Sequence, residues 1–113
     1  MRSTSLVVRL AEIAPGLRVE TGPGATGAYA YDASNYRVPP QAVVFPRNAD
    51  DVVAVVRACR ETGIPVTARG GGTSMAGNAV GPGVVLDFSR YMNRILDIDV
   101  EARTARVEAG VVL

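Results

Sequence analysis

Two short apolar runs, Ala42-Val43-Val44-Phe45 and Ile64-Pro65-Val66-Thr67-Ala68, flank one helical stretch, and the second run empties into Arg69-Gly70-Gly71-Gly72-Thr73-Ser74-Met75-Ala76-Gly77-Asn78. The helical stretch, Ala49 to Thr62, carries Val52, Val53, Val55, Val56 and Cys59 as a wide apolar face. Asn48, or Asp50 in a shifted register, caps it, and Gly63 ends it. A helix of this length is the usual way to join two parallel neighbours. The second strand then delivers the Gly-rich loop at its C-terminal edge, where ligands of open α/β sheets commonly collect.

Shorter elements surround this unit. Thr4 or Ser5 can cap a helix bearing Leu6, Val7, Leu10 and Ile13, which Pro15-Gly16 stops. Gly22 to Gly27 reads as a flexible connection, and Ala28 to Tyr36, with its spaced tyrosines, as a packed loop or short helical turn. Pro39-Pro40 forces an extended backbone. Beyond the glycines, Val84-Val85-Leu86-Asp87 is a third strand of the same sheet. Ile95 to Asp99 pairs across the Val100 to Arg103 turn with Thr104 to Glu108, as a hairpin with one wet face.

Three adjacent glycines leave backbone N–H groups unobstructed by Cβ atoms and permit any positive φ the turn requires, which suits the loop to an anion such as a phosphate. A plain flexible connection is the other reading of such a run. The common phosphate motifs do not apply. Gly77, Gly81, Pro82 and Gly83 cannot begin the helix that a dinucleotide fingerprint opens, and the chain has no Lys for a Walker loop.

Composition narrows the function classes. At 113 residues and 48% hydrophobic, the chain suits one globular domain or part of one. A net charge of +1 provides no broad field for nucleic acid. The longest apolar stretches are too short to span a bilayer, and the N-terminus lacks a long apolar core with a cleavage signal, so a cytoplasmic location is expected. Without His there is no His-based proton transfer or His metal site, and Cys59, the lone cysteine, is expected to be a buried structural thiol.

In order, Ala42 to Pro46, the helix with Asp50-Asp51-Val52, Gly63-Ile64-Pro65-Val66, Arg69 to Ser74 with Gly77, and Val84 to Asp87 resemble the start of the FAD-binding domain of the vanillyl-alcohol oxidase and p-cresol methylhydroxylase type. Tyr31-Asp32-Ala33-Ser34-Asn35-Tyr36-Arg37 and Met92-Asn93 are similar to the branch of FAD-linked D-lactate, D-2-hydroxyglutarate and glycolate dehydrogenases, especially members fused to an iron–sulfur region. The resemblance covers Tyr29 to Leu113. It implies an α+β, α/β-like fold: a small parallel sheet with flanking helices, the first subdomain of such a domain, followed by the start of a second, antiparallel subdomain. Residues 1–38 would form an N-terminal helix and packed loop, and residues 39–113 the first, truncated part of the FAD-binding domain.

The same resemblance implies that Gly70, Gly71 and Gly72 offer N–H groups to the FAD pyrophosphate, with Arg69 opening the loop and Thr73 and Ser74 adding hydroxyls. Gly77 would let the backbone pass the flavin, and Asn78 would place an amide near its ring or ribityl chain. Pro46 would lie beneath the adenine end, and Gly110 would be a bare backbone position of a later cofactor-facing segment. Two of these have structural alternatives, Pro46 as a strand end and Arg69 as the partner of a carboxylate such as Asp87. Covalent relatives often carry His where Thr73 stands, so the flavin is expected to be held non-covalently. No residue here is expected to be catalytic or to bind a metal, because the substrate-binding part of the family lies beyond Leu113. Two functional classes follow: the N-terminal piece of a flavin-dependent oxidoreductase of 2-hydroxy acids, completed by the rest of its FAD and substrate domains, or a non-catalytic remnant or nucleotide-binding subunit that needs a partner chain.

Overall fold

The computed structural model describes residues 2–112 of the chain; Met1 and Leu113 lie outside them. In chain order the elements are α1 (Arg2–Ile13), β1 (Arg18–Glu20), α2 (Pro23–Ala28), β2 (Ala42–Phe45), α3 (Ala49–Thr62), β3 (Val66–Arg69), β4 (Val84–Asp87), β5 (Ile95–Asp99) and β6 (Thr104–Val107). The first four strands make one sheet in the order β1-β2-β4-β3, and β5-β6 make a separate two-stranded sheet. A small, mainly parallel sheet with flanking helices, followed by an antiparallel hairpin, is the α+β architecture expected.

Strands β2 and β3 lie in one sheet and both run parallel to β4, but they are not neighbours, because β4 is inserted between them. The strand sequences explain the order. Every residue of β2 and β4 is buried, as continuous apolar runs require when both faces of a strand are covered. β3 alternates exposed and half-buried residues and follows Pro65, which cannot donate to a ladder, so it is fit for the edge. On one face of the sheet, Ala42, Val44, Val84 and Leu86 pack with Leu6 and Leu10 of α1 and Val55, Ala58 and Cys59 of α3. The Cys59 thiol is buried, and burial raises its pKa, so it stays protonated and acts as a small apolar filler.

Helix α3 has the bounds its sequence predicts. Asn48 is the cap: its side chain accepts from the Asp51 N–H at 2.9 Å. The buried Asp51 carboxylate accepts from the Arg47 N–H at 2.9 Å and from its guanidinium at 2.8 and 3.0 Å, and Arg47 holds it below the usual carboxylate range. Replacing the cap, Asn48→Ala, is expected to cost about 1 kcal/mol of stability in urea denaturation, since it strips one helix-end donor of its acceptor. The apolar face of α3 is narrower than expected. Val55, Ala58 and Cys59 enter the core, whereas Val53 and Val56 stay half in solvent and, with Val52, Arg57 and Arg60, line an outer groove of about 290 Å³.

Four further details differ from the sequence expectations. The first helix begins at Arg2, which puts Thr4 and Ser5 inside its first turn rather than at its cap. Gly22 to Gly27 is not a flexible connection but the short helix α2, because Pro23 presets the helical φ at its start and the Thr26 hydroxyl donates back to Gly22 O at 3.1 Å. Strand β1, in a stretch with no regular pattern, adds antiparallel to β2. The hairpin β5-β6 is exposed on both faces rather than one, Ile95 and Ile98 included, since no described element packs over it.

Candidate functional site

The parallel strands β2, β3 and β4 end at one edge of the sheet, so Pro46, the Gly-rich loop from Arg69 to Asn78, and Asp87 all emerge there. Parallel pairing thus brings together three segments far apart in sequence. A second loop, Tyr31 to Arg37, joins them. It is closed by a bridge between its ends and by Asp32 Oδ1 accepting from the Ser34 N–H at 2.8 Å, while Asp32 Oδ2 reaches across to the Ala79 N–H at 3.2 Å. The Ser34 hydrogen bonds, the Ala79 N–H and the nearby Arg69 charge hold the Asp32 carboxyl below its ordinary pKa. Asp32 therefore ties the second loop to the exit of the Gly-rich one.

The glycines of this edge divide by what surrounds them. Gly72 and Gly77 have φ of 70° and 82°, where a side chain is strained, and each also lies under a neighbour. A Cβ on Gly72 would overlap the Arg69 guanidinium, and one on Gly77 would lie 2.7 Å from the Tyr36 ring. Gly71 takes no positive φ, contrary to what a turn could have required of it. A Cβ built there meets only Thr73 Cγ2, at 3.8 Å, and one on Gly70 meets nothing within 4 Å. No protein atom requires glycine at either position, yet a Cβ at each would fill open space over exposed backbone. That leaves room for an external group beside the exposed backbone, at the strand edge where three segments meet.

The remaining candidates are placed as follows. Thr73 is exposed. Ser74 Oγ accepts from the Ala76 and Asn78 N–H groups at 3.3 and 3.2 Å, which curls the loop and leaves the hydroxyl proton free for an outside acceptor. Asn78 is exposed, so its side-chain amide is available. Pro46 is fully buried behind the end of β2. Gly110 is bare for a reason internal to the protein: a Cβ would overlap Phe88 O and lie 2.7 Å from Met92 O, to which the Gly110 N–H donates at 2.8 Å. Just before it, Glu108 receives the Arg94 guanidinium at 2.7 Å and pins the base of the hairpin.

Arg69 does not pair with Asp87. Its Nη1 donates to Tyr31 O at 2.7 Å and to Ala79 O at 3.2 Å, and its guanidinium lies over the Tyr29 ring, 4.8 Å from the centroid. Asp87 is engaged elsewhere. It accepts from the Tyr29 hydroxyl and from the N–H and hydroxyl of Ser89 at 2.8 and 2.6 Å. Burial, aided by Asp87, pushes the Tyr29 pKa up to about 12, so this phenol stays a proton donor at neutral pH. Tyr29, Asp32 and Tyr36 were not singled out as site residues from sequence. Only Asp32 carried a local signal, an Asx-turn pattern of Asp followed two residues later by Ser. Tyr29 and Tyr36 reach the loop through contacts that no spacing encodes.

Among the described residues no group of acidic or cysteine side chains could hold a metal ion, and no helix is long and apolar enough to cross a membrane. Residues 40–113 match the family model described as FAD binding domain. D-2-hydroxyglutarate dehydrogenase of Pantoea ananatis (strain AJ13355) is 46% identical over 84 residues, covering 72% of this chain and 8% of the relative. Glycolate oxidase subunit GlcD of Bacillus subtilis (strain 168) is 41% identical over 87 residues, 74% of this chain and 18% of the relative. The chain thus spans less than a fifth of the length of either. Among solved structures, p-cresol methylhydroxylase with substrate bound superimposes with a TM-score of 0.82 at 26% identity, over 97% of this chain and 22% of that one.

Proposed function

This chain belongs to the FAD binding domain family, and from that membership we propose that its Gly-rich loop holds the pyrophosphate of a non-covalently bound FAD, as the N-terminal piece of a flavin-dependent oxidoreductase of 2-hydroxy acids. The observation that carries the proposal is the open space over Gly70 and Gly71, two glycines that nothing in the protein itself requires. In this reading Gly70, Gly71 and Gly72 present backbone N–H groups, Thr73 and the free Ser74 proton add donors, and Asn78 offers its amide beside them. Gly77 and Gly110 act by keeping the backbone close-packed, and the buried Pro46 by ending β2 at the same sheet edge. The substrate class rests on the two relatives, whose names specify 2-hydroxy acids.

Bound FAD would supply the acceptor for hydride from the alcohol carbon of the substrate. The residues of this chain bind and orient. In the same reading the movement of the substrate proton falls to the remainder of the FAD-binding and substrate domains. With Thr73 where a linking His would stand, a covalent histidyl attachment is ruled out at that position. Acid precipitation of the intact flavin-loaded protein is expected to leave FAD in the supernatant. Flavin that stays with the pellet would contradict non-covalent binding, and purified intact protein that takes up no FAD would contradict the proposal as a whole.

A further inference from the structure

We infer that Arg69 is a positioning residue, a brace that holds the Gly-rich loop from inside, so that phosphate recognition falls to the Gly70, Gly71 and Gly72 N–H groups and to the Thr73 and Ser74 hydroxyls. The inference rests on the FAD reading for its ligand, but its geometry stands alone. Both N–H bonds of Nη1 go to backbone carbonyls, Tyr31 O at 2.7 Å and Ala79 O at 3.2 Å. The first belongs to the neighbouring loop and the second to the exit of the Gly-rich loop. One face of the guanidinium lies over Tyr29, whose hydroxyl is anchored on the buried Asp87 at the end of β4. The Nη2, Nε and Cζ side meets the bare Cα of Gly72, where a Cβ would lie 2.9 Å from Cζ.

Arg69 therefore joins the start of the loop at Gly72, its exit at Ala79, the second loop at Tyr31 and the sheet through Tyr29. Asp32 closes the same ring through the Ala79 N–H. None of the ion pairs among the described residues includes Arg69. Its two Nη1 donors are occupied by neutral carbonyls, and no carboxylate contacts the guanidinium directly. The brace depends on a planar fork. A lysine ammonium keeps the charge but cannot lie flat between Tyr29 and Gly72 while donating to both carbonyls.

The test uses the intact protein with Arg69→Lys and Arg69→Met, read by FAD titration and by amide hydrogen exchange of the cofactor-free form. A brace predicts that both variants lose FAD affinity on the order of 30-fold, and that retained charge gives Lys no advantage beyond about threefold. It also predicts that exchange at Asn78 and Ala79, whose N–H groups are bonded to Ser74 and Asp32, rises about tenfold while the β2 and β4 amides hold their protection. Affinity preserved in Arg69→Lys and lost in Arg69→Met, with loop exchange unchanged, would make Arg69 a direct charge contact and overturn the brace. An equal rise in exchange across β2 and β4 would make it a general fold residue and overturn the brace as well. If the unsubstituted protein takes up no FAD, the proposed function falls, and the exchange measurement still decides the brace.

Discussion

Gly71→Val is expected to abolish FAD binding by the intact protein while leaving its fold intact. The position has no positive φ and the Cβ of valine meets only Thr73 Cγ2, at 3.8 Å, so stability should stay within about 0.5 kcal/mol of the parent. In the proposed reading the branched side chain would occupy the open space that the pyrophosphate needs beside the Gly70 and Gly71 N–H groups. Hydrogen bonds to a charged group are worth roughly 1.5–3 kcal/mol each, so blocking two of them lowers affinity on the order of 100-fold or more. Thr73→Ala removes one hydroxyl donor and should cost less, on the order of tenfold to 100-fold. Fluorescence titration with FAD reads both, and circular dichroism confirms folding. A folded Gly71→Val protein that binds FAD as tightly as the parent would remove the pyrophosphate site from this loop.

Most of this edge was legible in the sequence because it is built by local rules. The Asn48 cap, the Gly63 stop and the run from Ala42 to Phe45 each declare themselves within a few residues, and parallel pairing then places the Gly-rich loop at a ligand-binding edge. What was not legible is set by long-range packing. That β4 enters between β2 and β3 depends on which strand can be buried on both faces, a comparison between strands rather than a property of one. The short helix α2 was hidden because two glycines among its six residues outweigh the start signal of Pro23 in any propensity sum. The roles of Arg69, Gly72 and Gly110 needed coordinates. The glycines of the Gly-rich loop read alike in sequence, and only their neighbours separate those that fit protein from those that face open space.

That separation gives the second large effect. Gly83→Ala is expected to damage both the fold and the site, the reverse of Gly71→Val. Gly83 is buried where three strands begin: its carbonyl accepts from the Gln41 N–H at 2.8 Å just before β2, and the next residue, Val84, donates to Pro65 O at 2.9 Å just before β3. A Cβ on Gly83 would overlap Pro65 O and lie 2.8 Å from Pro65 Cγ and 2.9 Å from its carbonyl carbon. The obstacle is backbone, which cannot rotate away as a side-chain tip can. Either β3 is pushed off β4 or the Val84 to Pro65 hydrogen bond is lost, and both shift the strand whose C-terminal end carries Arg69 and the glycines. Overpacking of this kind costs about 3 kcal/mol, the upper part of its usual range. A single methyl should therefore lower the urea midpoint of this domain, deprotect the β3–β4 amides in hydrogen exchange, and weaken FAD binding from the far end of the strand. If Gly83→Ala keeps the parental urea midpoint and β3–β4 protection, the approach of Pro65 to Gly83 is not the constraint that sets this edge strand, and the register that delivers the loop must be held elsewhere.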